Sequence, residues 1–206
     1  MQLSTFAQTL LQCALLSAPL LISPIPALAQ QTGSPNGQFS VKQTPQGGFE
    51  IVGSQGQVQG EPISPKHTGY DKILVAWSPD SQKAALIAMR LKTSEIYVLG
   101  TQHNFEIPQP SLEAMKKLAV KSAGPTLWQN PSSYKCWSNG PLNAKWITAD
   151  QLEVETTFTL ALPPKDYRVS RIEDIRDCTF SYVVDLTREP AVTQLRLLTI
   201  KKSPLI

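Results

Sequence analysis

Strand-length apolar runs cut off by turn-forming residues dominate this chain and leave little room for anything but β structure. Ile73-Leu74-Val75-Ala76-Trp77 is followed at once by Ser78-Pro79-Asp80-Ser81. Proline presets φ for a turn, and an Asp side chain can bond to nearby backbone. The chain therefore reverses there and returns as a strand over Lys83–Leu91, with a third strand over Glu95–Leu99. Upstream, Gln38–Gln43 and Gly48–Val52 alternate in strand fashion around Thr44-Pro45-Gln46-Gly47, a hairpin pattern. A polar connection through Gly53, Gly56 and Gly60 leads into a loop over 61–69 that carries Pro62, Pro65 and Gly69. Downstream, strands are expected over 143–147, 151–160, 178–187 and 192–201, with breaks at Pro163-Pro164 and Pro190.

One segment reads as a helix, 111–123. Ser111 can cap its start, and Glu113 suits the positive end of the helix dipole. Leu112, Met115, Leu118 and Ala119 share a face, and Lys116, Lys117 and Lys121 lie toward the negative end. Gly124-Pro125 ends it. Many short strands and one helix predict a mainly β fold: antiparallel sheets, as a propeller-blade-like meander or a sandwich, with one α-helix near 111–123.

Residues 1–29 contain no Asp, Glu, Lys, Arg or His and end in Ala27-Leu28-Ala29. An apolar run from Leu10 to Ile22, a break at Pro24 and Pro26, and the small-x-small triplet predict a cleaved signal peptide. The apolar run is shorter than a membrane span and is interrupted by Pro19, so a retained anchor fits less well. Cys13 has bulky Gln12 before it, which does not suit a lipid-attachment site. The expected organisation is a signal peptide (1–29), a flexible tether (30–37) and a single β-rich domain (38–206), exported to a periplasmic or extracellular space. No membrane span is expected after cleavage.

Export decides how the cysteines are read. Cys136 and Cys178 remain in the mature chain, and an even pair in an oxidising compartment predicts a disulfide. Such a bridge would stabilise by roughly 4 kcal/mol in the chain-entropy model. The alternative is two buried thiols that never meet. The net charge of +3 is spread over scattered lysines rather than a stripe. Nucleic acid is therefore not an expected partner, because phosphate neutralisation needs clustered cations.

Trp77-Ser78-Pro79-Asp80, set between two apolar strands and followed by Ile96-Tyr97-Val98, resembles one blade of a TolB-type β-propeller over 73–99. The family usually has glycine where Ser81 stands here. A weaker echo runs from Lys145-Trp146 through Asp150 to Val154, with a longer Trp-to-Asp spacing. The resemblance implies a blade-like meander rather than a complete propeller, which needs several four-stranded blades. It also implies the family's usual role, a periplasmic protein-interaction platform.

Catalytic chemistry is sparse. Neither His67 nor His103 has an acidic or cysteine partner at ligand spacing, and there is no Gly-x-Ser-x-Gly elbow or phosphate-cradling loop. No catalytic, cofactor-binding or metal-binding residues are expected, and no cofactor. The alternating charges of Asp166–Arg168 and Arg171–Asp177 read as a solvated face. Trp128, Tyr134, Trp137 and Trp146 cluster in sequence. They would serve as a ligand-binding surface if exposed, and as core if buried. The expected function is an exported, non-enzymatic protein that binds an envelope protein or glycan. A carbohydrate- or peptidoglycan-binding module and a small secreted hydrolase are the alternatives.

Overall fold

The computed structural model describes residues 32–64, 69–91, 93–123, 135–162 and 174–202. The expected signal peptide, His67, Trp128, Tyr134 and the charged stretch 166–173 lie outside these residues. Among the described residues the fold is mainly β, in three antiparallel sheets with a single helix and no closed barrel. Sheet 1 is β1 (Phe39–Gln43), β2 (Phe49–Gly53) and β3 (Val58–Ile63). Sheet 2 is β4 (Lys72–Trp77), β5 (Lys83–Arg90), β6 (Thr93–Gly100) and β7 (Phe105–Glu106). Sheet 3 is β8 (Lys135–Trp146), β9 (Gln151–Leu162) and β10 (Asp174–Asp185). Its far edge is formed by β11 (Ala191–Val192) and β12 (Arg196–Lys202), which both pair with β10. Gln194, with φ 46°, interrupts that edge.

The sheets stack in chain order because β5 is apolar on both faces. Ala84, Leu86 and Ala88 pack against Val41, Phe49 and Ile51 of sheet 1. Ala85 and Ile87, pointing the other way, pack with Leu152, Val154, Tyr182 and Val184 of sheet 3. An unbroken apolar strand is the signature of burial on both sides. The outward faces of the end sheets are polar, with Ser40, Lys42 and Glu50 on sheet 1 and Glu153, Glu155 and Thr157 on sheet 3. That polarity leaves the stack open rather than closing it into a ring.

The long strands of sheet 3 extend past sheet 2, and the helix covers the overhang. Leu152 and Val154 of β9 face sheet 2, whereas Phe158 and Leu160, on the same face, pack under α1 (Leu112–Ala123) with its Met115 and Ala119. Phe158 meets Phe180 edge-on, with ring centroids 6.1 Å apart. Ser111 caps the helix as expected, its Oγ accepting from Ala114 N at 3.1 Å. Leu112 stays exposed at the helix start.

Four expectations change. Residues 32–37 are not tether: Val41 N donates to Thr32 O (2.9 Å) and Ser34 N to Phe39 O (2.8 Å), so this arm pairs with β1. Pro35, Asn36 and Gly37 form the tight turn that folds it back, with Gly37 at φ 71°. The connection after Gly53 contains β3, an edge strand with few buried side chains, which explains its polar sequence. β8 begins at Lys135 rather than 143, because bulges at Ser138/Gly140 and Pro141/Asn143 break the alternation that marks a strand.

The cysteines do not form the expected bridge. Both are free thiols. Cys136 pairs with Leu160 and Cys178 with Phe158, so β9 runs between them. Two strand spacings separate them by roughly 10 Å, whereas a disulfide needs Cα atoms within about 7 Å. Both instead fill the apolar layer under α1. Burial, with a smaller push from the Asp177 charge, raises the Cys178 thiol to about 11, which keeps it protonated.

Tyr182 is the one buried polar side chain without a hydrogen-bond partner among the described residues. Its hydroxyl lies in the apolar layer between sheets 2 and 3, and burial pushes its pKa well above 10. A buried donor left unpaired costs about 1–3 kcal/mol. Tyr182→Phe should therefore stabilise the protein by about 1 kcal/mol in urea unfolding; a loss of stability would mean that the hydroxyl has a partner.

Candidate functional site

The two ends of the stack differ in chemistry, and local turn structure sets each. At one end the β4–β5 turn is held by its own side chains. Ser78 Oγ donates to the Asp80 carboxylate and accepts from Lys83 N at 2.9 Å, and Gln82 N donates to Asp80 Oδ1 at 3.1 Å. Partial burial opposes the charge on Asp80. The Ser78 hydroxyl, the Gln82 N–H and the Lys83 charge outweigh it and hold the carboxyl below 3.8. Ser81 sits at φ 61°, the left-handed conformation that favours glycine. Ser81 Oγ accepts a long 3.3 Å bond from Asn36 N. We expect Ser81→Gly to match or exceed wild-type stability, and Ser81→Ala, which keeps the strain and loses the bond, to cost about 1 kcal/mol. Equal effects in thermal unfolding would show that the backbone conformation carries no penalty.

Beside this turn lies a polar cleft of about 490 Å³ lined by Asp80, Lys83, His103, Asp150 and Arg188. Three of its charges, on Asp80, Lys83 and Asp150, are committed to structure. Lys83 Nζ pairs with Asp150 at 2.8 Å and donates to Ala149 O at 3.2 Å, tying sheet 2 to the β8–β9 turn. The His103 ring packs on Phe105, with centroids 4.4 Å apart. Among the described residues, no three His, Cys, Asp or Glu side chains converge as a metal site.

The opposite end is apolar. Arg90 pairs with Thr93, so Leu91 lies in the tight turn of the β5–β6 hairpin. Leu91 is 90% exposed. Beside it a groove of about 550 Å³ is lined by Met89, Arg90, Trp137, Asn139 and Leu142. Trp137 is 42% and Leu142 41% exposed. β8 is brought to the hairpin by a close backbone crossing at Gly140. Gly140 has φ 84°, and a Cβ there would come closer than 3.0 Å to Ser94 O. The Ser94 hydroxyl donates to Pro141 O and so fixes the crossing.

Of the aromatic residues expected as a ligand surface, the two that are described, Trp137 and Trp146, separate. Trp137 lines the groove, whereas Trp146 is buried in the layer between sheets 2 and 3, 8% exposed. The two stand nine residues apart on β8, about 30 Å at ~3.3 Å per residue. Trp146 works as a clip: its Nε1 donates to Ala76 O of β4 at 2.8 Å. Trp77 repeats the device one sheet earlier, donating to Thr32 O at 3.1 Å. The first strands of sheets 2 and 3 thus each end in an indole that bonds the first segment of the sheet before it. Leu91 and Leu142 were not marked by sequence reasoning. A signal was present, since the tight turn after Arg90 contains leucine and lacks Gly, Asn, Asp and Pro. No protein-family model matches this chain, and no curated protein matches it.

Proposed function

We propose that this is an exported, non-enzymatic β protein that binds a cell-envelope component through the end carrying Leu91, Trp137 and Leu142. One observation carries the reading: an almost fully exposed leucine at a hairpin tip, beside a half-exposed tryptophan and a second exposed leucine. Apolar groups scattered singly need no explanation, but a cluster built from two sheets marks an interaction site. Trp is the side chain most often found anchoring such surfaces. The resemblance of 73–99 to a TolB-type blade, whose family role is protein interaction, points the same way. The glycan reading rests on Trp137 and Asn139, which both line the groove.

Co-sedimentation with an envelope fraction tests the proposal. Wild-type protein should be retained, and a Leu91→Ser/Trp137→Ser variant should lose about tenfold or more of that retention at unchanged melting temperature. Equal retention of both proteins would refute the reading.

A further inference from the structure

We propose that the component bound by this end is an anionic lipid bilayer surface, into which Leu91, Leu142 and Trp137 insert shallowly. The inference rests on the reading of this end as the binding site. Three observations choose a bilayer over a protein. Leu91 has almost nothing around it, so a folded partner would have to supply a complete pocket, whereas a fluid interface accepts a protruding side chain from every direction. The apolar tips are rimmed by cations. Arg90 lines the groove, and exposed Lys72 stands opposite Met89 on the neighbouring strand. Asp71, beside Lys72, is the acidic neighbour on this rim. Lastly, Trp137 lies at the boundary between apolar groove and solvent, the setting tryptophan prefers at membrane interfaces. Long cationic side chains beside inserted leucines can keep their stems in the apolar layer and their charges at the headgroups. With so few inserted side chains, binding should be reversible, and its electrostatic part should weaken with salt.

The test uses the exported protein, with its N-terminus verified by mass spectrometry so that no apolar leader carries it onto lipid, and vesicles of phosphatidylcholine alone or of equal parts phosphatidylcholine and phosphatidylglycerol. The protein should bind the mixed vesicles, bind pure phosphatidylcholine far less, and lose affinity as salt rises. Leu91→Ser should lower partitioning about tenfold or more, and Arg90→Gln should lower it and flatten the salt dependence. Trp137 emission should shift to the blue on binding and be quenched by brominated lipid, a response absent in Trp137→Phe. Absence of binding to mixed vesicles, equal binding to both compositions, or indifference to Leu91→Ser would each overturn the inference. If Leu91-dependent retention on the envelope fraction survives while vesicles fail, the occupant is a protein or glycan and the broader reading stands. If envelope retention ignores Leu91, both fall.

Discussion

Trp146→Ala should destabilise the protein by about 3–5 kcal/mol, the largest single-residue effect we expect. Three losses add at this site. The indole leaves a cavity in the layer formed by Ile87, Ile96, Leu152 and Val184. Ala76 O loses the N–H it accepts at 2.8 Å. β4 also loses the group that covers its free edge, since β4 is the outermost strand of sheet 2. Trp146→Phe separates these contributions. It keeps most of the packing and removes the hydrogen bond, so it should cost only about 1–2 kcal/mol. Equilibrium urea unfolding measures both. If Phe costs as much as Ala, the clip rather than the packing holds the sheets together; if Ala costs under about 1 kcal/mol, Trp146 is not the anchor of this interface.

Gly140→Ala is the second large effect, at about 1–3 kcal/mol from the left-handed backbone alone. The added methyl would also press against the Ser94 backbone where β8 crosses β6, and backbone on that side has little freedom to yield. Trp146 and Gly140 thus clamp β8 at two points along sheet 2. The functional consequence differs between them. Trp146 lies far from the hairpin tip, so its loss should weaken the fold without altering the groove directly. Gly140 lies between Asn139 and Leu142, which both line the groove, so its substitution should move Trp137 relative to Leu91. The readout is Trp137 accessibility to acrylamide in wild type and in the Gly140→Ala variant. An unchanged quenching rate alongside the stability loss would show that the groove does not depend on this crossing.

The fold was legible where one side-chain pattern matched one local structure. The β4–β5–β6 meander follows from two apolar runs around a Ser-Pro-Asp turn and an Ile-Tyr strand. The helix follows from its cap, its stripe and its terminal charges. Layer order was harder to read. Ala84–Met89 is apolar without alternation, which fits a strand buried on both faces and a short buried helix equally well. β8 was half hidden because Gly140 and Pro141, normally strand breakers, sit in bulges that let the strand continue across sheet 2. The disulfide failed as an inference because cysteine count and compartment fix only the possibility of a bridge. Register decides it, and here β9 intervenes. Of the candidate surface, Trp137 could be marked by residue type, but its exposure and that of Leu91 depend on how two sheets meet. Trp146 has the same residue type and the opposite fate, because its end of β8 is covered by sheet 2.

The central claim is that the working surface is the hairpin end and not the polar turn end. Amide hydrogen exchange with and without an envelope fraction tests it most directly. Protection should rise over 89–94 and 136–142, and stay unchanged over 78–83 and 148–151, where the Asp80 turn and the Lys83–Asp150 pair lie. Protection concentrated at the turn end, with the hairpin tip exchanging as before, would contradict the account.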